Sequence, residues 1–105
     1  MLIHVLTPLH LADPAAMWNT LDDEQRKQKV KEFLAQKLAE MGYKQVKIKV
    51  AIGDPSTEII DYAKEISADL IVLPSHGRKG ISRFLLGSVT ERVVRLSPCP
   101  VLVLK

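Results

Sequence analysis

Four short apolar runs alternate with three segments of helical period along this 105-residue chain. That alternation constrains the fold more than any other feature. Leu2-Ile3-His4-Val5-Leu6 ends at Thr7-Pro8 and reads as a buried strand. Residues 8–20 show no period and read as a loop. Asp22-Asp23-Glu24 then opens a helix, with acids suited to the positive end of its dipole. Val30, Phe33, Leu34, Leu38 and Met41 form one stripe, and Gly42 stops the helix as its C′ residue. Val46, Ile48 and Val50 alternate with Lys47 and Lys49, the pattern of a half-buried strand at a sheet edge. Gly53-Asp54 turns the chain, and Pro55 fits a first helical position. Ile59, Tyr62, Ala63 and Ile66 make the next stripe. Leu70-Ile71-Val72-Leu73 has no polar alternation and reads as a strand buried on both faces. Ser88 to Ser97 reads as a helix with Val89, Val93 and Leu96 inward, and residues 100–104 form the last strand.

Strand–helix alternation of this kind argues for an α/β fold, a three-layer parallel sheet with right-handed crossovers. The length suits one domain over residues 1–105. A hydrophobic fraction of 47% is too high for disorder, and no apolar run is long enough to span a membrane. The start shows no basic n-region or apolar h-region, so no signal peptide is expected. The lone cysteine, Cys99, excludes an internal disulfide and fits a reducing compartment, the cytoplasm. It reads as a buried residue rather than a redox group.

Charge is unevenly spread. Residues 70–105 hold six basic residues (Arg78, Lys79, Arg83, Arg92, Arg95, Lys105) against one acid, Glu91. That third of the chain is where an anion would sit, although a solvated basic face accounts for the same charges. Within it, residues 74–90 read Pro-Ser-His-Gly-Arg-Lys-Gly-Ile-Ser-Arg-Phe-Leu-Leu-Gly-Ser-Val-Thr. A strand leads into a glycine-bearing loop, and Gly87-Ser88 opens a helix. A helix amino end offers unpaired N–H groups and positive dipole, a natural seat for phosphate. The glycines serve equally well as plain turn residues. The segment is neither a P-loop nor a dinucleotide-binding glycine fingerprint.

The stretch from Ala68 to Leu104, with Gly53-Asp-Pro-Ser-Thr-Glu-Ile-Ile-Asp-Tyr-Ala upstream of it, closely resembles the universal stress protein family. Its ATP-binding branch carries Gly-x-x-Gly, nine residues, then Gly-Ser/Thr. Here Gly77 is the second glycine, residues 78–86 are the nine, and Gly87-Ser88 closes the pattern. The resemblance implies an adenine nucleotide alpha hydrolase-like, Rossmann-like fold and ATP as ligand, accompanied by Mg2+. It implies Val5 at the adenine, Leu73 and Pro74 beside the nucleotide, and Gly77, Arg78, Gly87, Ser88 and Val89 at the phosphates. It also implies a homodimer through residues 100–104, with no membrane or nucleic-acid partner.

Two departures from the family follow. Pro74 stands at the first glycine, and proline has no N–H and cannot take positive φ. The chain also begins at what resembles the family's second strand. In the family order 3-2-1-4-5, Leu2–Leu6 and Leu70–Leu73 then flank a vacancy. Either those two strands pair directly, a strand from another chain fills the gap, or further residues supply a normal five-stranded sheet. Direct closure is the expectation for a chain of this extent, with weakened ATP binding as its consequence.

His4, His10 and His76 lack the spacing of a metal site, and Ser75-His76 lacks an acid partner. Trp18 reads as a local core plug, and Asp54 as a turn or cap residue. The reading is a nucleotide-binding regulatory domain of the stress response. The alternatives are a homodimeric interaction module without nucleotide and a weak ATPase, the last disfavoured because no general base is legible.

Overall fold

The computed structural model describes residues 1–6, 22–75 and 86–105. The described residues contain seven elements, all alternating: β1 (Leu2–Leu6), α1 (Asp23–Glu40), β2 (Ile48–Ile52), α2 (Pro55–Glu65), β3 (Ile71–Pro74), α3 (Ser88–Leu96) and β4 (Val101–Leu104). The chain divides into two compact units, Met1–Pro55 and Ser56–Lys105.

The first unit pairs β1 with β2 in parallel, Leu2 opposite Ile48 and Leu6 opposite Ile52. The Leu2 N–H donates to the Lys47 carbonyl at 2.8 Å, and the Gly53 N–H donates to the Leu6 carbonyl at 3.0 Å. Those two bonds fix the ladder and place β2 two residues later than the Val46–Val50 alternation suggests. Among the described residues β2 has one neighbour, as expected of an edge, and it buries Val50 and Ala51. α1 packs against β2.

Both ends of α1 are closed locally. The Asp22 carboxylate accepts from the Gln25 N–H at 2.8 Å, and the Gln25 side-chain oxygen accepts from the Asp22 N–H at 3.1 Å. This reciprocal pair satisfies two donors at the helix start. At the other end Gly42 takes φ +91°, a left-handed conformation that side-chain-bearing residues rarely adopt. The Gly42 N–H reaches the Ala39 carbonyl and the Tyr43 N–H the Leu38 carbonyl, the double-bonded C-terminal closure that such a glycine permits. The expected stripe is only half buried. Val30, Leu34 and Leu38 are partly covered, but Phe33 and Met41 are 58% and 69% exposed.

The second unit pairs β3 with β4 in parallel, Ile71 opposite Val101 and Leu73 opposite Val103. Ile60, Ala63, Ile71 and Val93 form its core, with Ile59, Ala68, Leu73, Val89, Cys99 and Val101 packed against it. Val93 is fully buried, whereas Leu96, expected inward, is half exposed. β3 is not buried on both faces as its unbroken apolar run suggests. Ile71 is buried and Leu73 half-buried, while Val72 is 51% exposed, as is Leu102 opposite it at 50%. A two-stranded sheet with helical cover on one face leaves its other face open.

Among the described residues the ladders are β1–β2 in the first unit and β3–β4 in the second, and the expected direct pairing of β1 with β3 is not one of them. No described helix is long and apolar enough to cross a membrane.

Candidate functional site

The second unit fastens the amino end of α3 to the end of β3 at two points. The Gly87 N–H donates to the Ser75 carbonyl at 2.8 Å. The Thr90 hydroxyl donates to the Pro74 carbonyl at 2.8 Å, and Thr90 is buried. The Ser75 N–H in turn donates to the Leu104 carbonyl at 2.7 Å, so β4, β3 and α3 are linked in one chain of bonds.

Gly87 is the N-cap of α3 and is buried; its carbonyl accepts from the Glu91 N–H at 2.9 Å. Its φ of −60° and ψ of 151° are open to any residue, so backbone freedom is not why glycine stands there. What glycine withholds is a capping side chain. The amides of Ser88, Val89 and Thr90 precede the first i to i−4 acceptor and point out of the helix end. Ser88 is exposed and adds a hydroxyl; Val89 is half-buried. The turn is therefore a small array of donors with a positive dipole behind it.

The ladders decide which backbone groups remain for a ligand. In a parallel pair, alternate residues turn both N–H and C=O to the neighbouring strand. Ile71 donates to Pro100 and Ser75 to Leu104, so Leu73 also faces β4 and its N–H is engaged there. Pro74 faces the opposite edge, where its missing N–H costs no β3–β4 bond. Neither Leu73 nor Pro74 has an amide to offer a ligand at this end of β3. In the first unit Leu2 and Leu6 bond β2, so the even positions of β1 are engaged. The backbone N–H and C=O of Val5 therefore face the other edge of β1. Of the expected phosphate residues, Gly87, Ser88 and Val89 fall together at the start of α3. Gly77 and Arg78 lie outside the described residues, as do His10, Trp18 and His76.

The sequence pattern does not mark Thr90 or Ser75 as fastenings of the turn, although both hold it in place. Their partners lie on other parts of the chain, Thr90 bonding Pro74 and Ser75 bonding Gly87. Cys99 is a free thiol, partly buried beside the core. Its N–H donates to the Ser97 hydroxyl oxygen at 3.1 Å, and that hydroxyl donates to the Cys99 carbonyl at 2.6 Å.

Alternating strands and helices, parallel pairing in both sheets and a helix amino end fixed at a strand end define a Rossmann-like α/β protein. The model of the Universal stress protein family matches residues 1–105, and the chain belongs to that family. It is 44% identical over 69 residues to Universal stress protein MJ0531 of Methanocaldococcus jannaschii, covering 66% of this chain and 41% of the relative. It is 40% identical over 82 residues to Universal stress protein MJ0577 of the same organism, covering 78% and 49%. Universal stress protein YxiE of Bacillus subtilis is 42% identical over 77 residues, covering 73% and 51%. The chain thus spans about half the length of these curated relatives. Among solved structures, that of MJ0577 superposes with a TM-score of 0.73 at 31% identity, over 98% of this chain and 72% of that one. Universal stress protein UspA from Lactobacillus plantarum superposes with a TM-score of 0.70 at 27% identity, over 98% and 74%.

Proposed function

We propose that this chain is a nucleotide-binding regulatory domain of the stress response, acting in the cytoplasm, with ATP as its ligand. The phosphates sit at the first turn of α3, and Mg2+ arrives with them rather than in a cage of protein ligands. One observation carries the reading. The amino end of α3 has a cap residue without a side chain, and bonds from Gly87 to Ser75 and Thr90 to Pro74 hold it against β3. That turn fits a phosphate: the amides of Ser88 and Val89 and the Ser88 hydroxyl donate, while Gly87 shapes the approach. Gly77 and Arg78 complete the seat by the family pattern. The side chains of Ser88, Val89 and Thr90 include no general base, and Glu91 is paired with Arg95 at 3.6 Å. Binding is favoured over turnover on that ground.

A second copy of the chain is the proposed partner, through residues 100–104. The observation behind it is the free edge of β4, whose only described neighbour is β3. An uncovered apolar edge is a template for further pairing.

The test is thermal unfolding of the purified chain with and without Mg-ATP. A ligand bound only to the folded state stabilises it by roughly 2.7 kcal/mol at a hundredfold excess over Kd. The melting temperature should rise by about 10 °C or more in a chain of this size. An unchanged melting temperature at millimolar Mg-ATP would remove the nucleotide and leave the interaction module.

A further inference from the structure

We propose that the outer face of the β3–β4 sheet is a docking surface for one amphipathic α-helix of a partner polypeptide. Val72 and Leu102 stand opposite each other and are half exposed, as are Leu70 and Leu104, and Pro74 opposite Leu104 is exposed as well. Alternate positions of a strand share a face, so these five side chains lie on one side of the sheet. Ile71, Leu73 and Val101 turn the other way, into the core with Ile60, Ala63 and Val93. The outer face is thus opposite α2 and α3, and its reading is independent of the phosphate seat.

The strands themselves point to a helix as the occupant. β3 and β4 run parallel, and parallel sheets are covered on both faces, by helices. A contiguous patch of exposed aliphatic residues marks a surface that something covers. Among the described residues no helix is left to cover it. α1 packs on β2 in the first unit, while α2 and α3 line the inner face. The solved MJ0577 chain superposes on 98% of this one, yet more than a quarter of that chain has no counterpart here. The same architecture therefore carries further polypeptide in that relative. Size agrees. From Leu70 to Pro74 the patch runs roughly 13 Å along the strand, which about ten helical residues span. Two strands also match the roughly 10 Å width of one helix. The helix needs aliphatic residues at i, i+4 and i+7 and a polar outer face. A second copy fits less well, because five side chains fall far short of the roughly 20–30 residues a side of a standard interface.

The experiment titrates the full chain, labelled with nitrogen-15, with a synthetic peptide spanning the part of MJ0577 that has no counterpart here. Saturable shifts are expected at the amides of Leu70, Val72, Leu102 and Leu104, with or without Mg-ATP. A peptide of the same composition in scrambled order should produce none. Val72→Thr combined with Leu102→Thr keeps strand propensity and should weaken binding at least tenfold. Val72→Ile with Leu102→Ile should retain it. No saturable shift at these amides, or equal shifts with the scrambled peptide, would overturn the surface. So would a folded double threonine variant that binds like the parent. Shifts that follow the concentration of the chain alone would assign the face to a second copy and overturn the partner helix. A purified protein of intact mass well above 11.7 kDa, with these amides already protected from exchange, would assign it to that protein's own adjoining residues, with the same effect. If the threonine variant fails to fold, the parent titration decides alone: saturation at these amides supports the surface, and its absence overturns it.

Discussion

Gly87 spends its own N–H on the carbonyl of Ser75, 2.8 Å away. The glycine that closes the phosphate pattern is therefore not itself a phosphate donor. It anchors the helix to the end of β3, and in the proposed seat donation falls to Ser88 and Val89. For that seat its missing side chain matters: an Asp, Ser or Asn at the N-cap would fold back onto the amides and occupy them.

Gly87→Asp tests that division of labour. The carboxylate would cap α3, which offsets part of the cost of placing a side chain at a buried position. It would also place a negative charge on the phosphate position. ATP affinity should fall at least tenfold in a variant that keeps a cooperative thermal transition. Equilibrium dialysis with labelled ATP reads the first quantity and thermal unfolding the second.

Thr90→Val keeps the shape of the buried side chain and deletes the hydroxyl that donates to Pro74 at 2.8 Å. Loss of a buried hydrogen bond of this kind costs about 1–2 kcal/mol. Urea unfolding should show the loss as a lower midpoint with an unchanged slope. ATP binding should weaken as well, because the turn loses one of its two fastenings.

Much of this fold is legible in the sequence, and the exceptions have physical causes. Gly42 and the acids from Asp22 mark the ends of α1 in the sequence, and both ends close locally, within a turn of the helix; the reciprocal bond with Gln25 is added by the structure. The bounds of β2 are not local: the bonds from Leu2 to Lys47 and from Gly53 to Leu6 set them, and no periodicity contains those partners. Val72 reads as buried because an all-apolar strand signals two covered faces; what covers the second face is not written in the strand itself. The site divides the same way. Gly87-Ser88 is a visible motif, but the use of the Gly87 amide depends on Ser75, twelve residues earlier and on another element.

Val103→Pro tests assembly through β4. Since Ser75 bonds Leu104, the even positions of β4 face β3, and Val103 turns its N–H to the free edge. Proline there removes an edge donor and leaves the β3 ladder's donors intact. The parent should scatter light as a dimer at high concentration and the variant as a monomer with a retained thermal transition. A parent that is monomeric throughout contradicts the proposed interface.

The most direct measurement of the central claim is a site-resolved titration of the nitrogen-15-labelled chain with Mg-ATP. The account predicts saturable shifts that are largest at the amides of Ser88 and Val89, the donors left open at the start of α3. Saturable binding that leaves those two amides unmoved, or no binding at millimolar nucleotide, would contradict it.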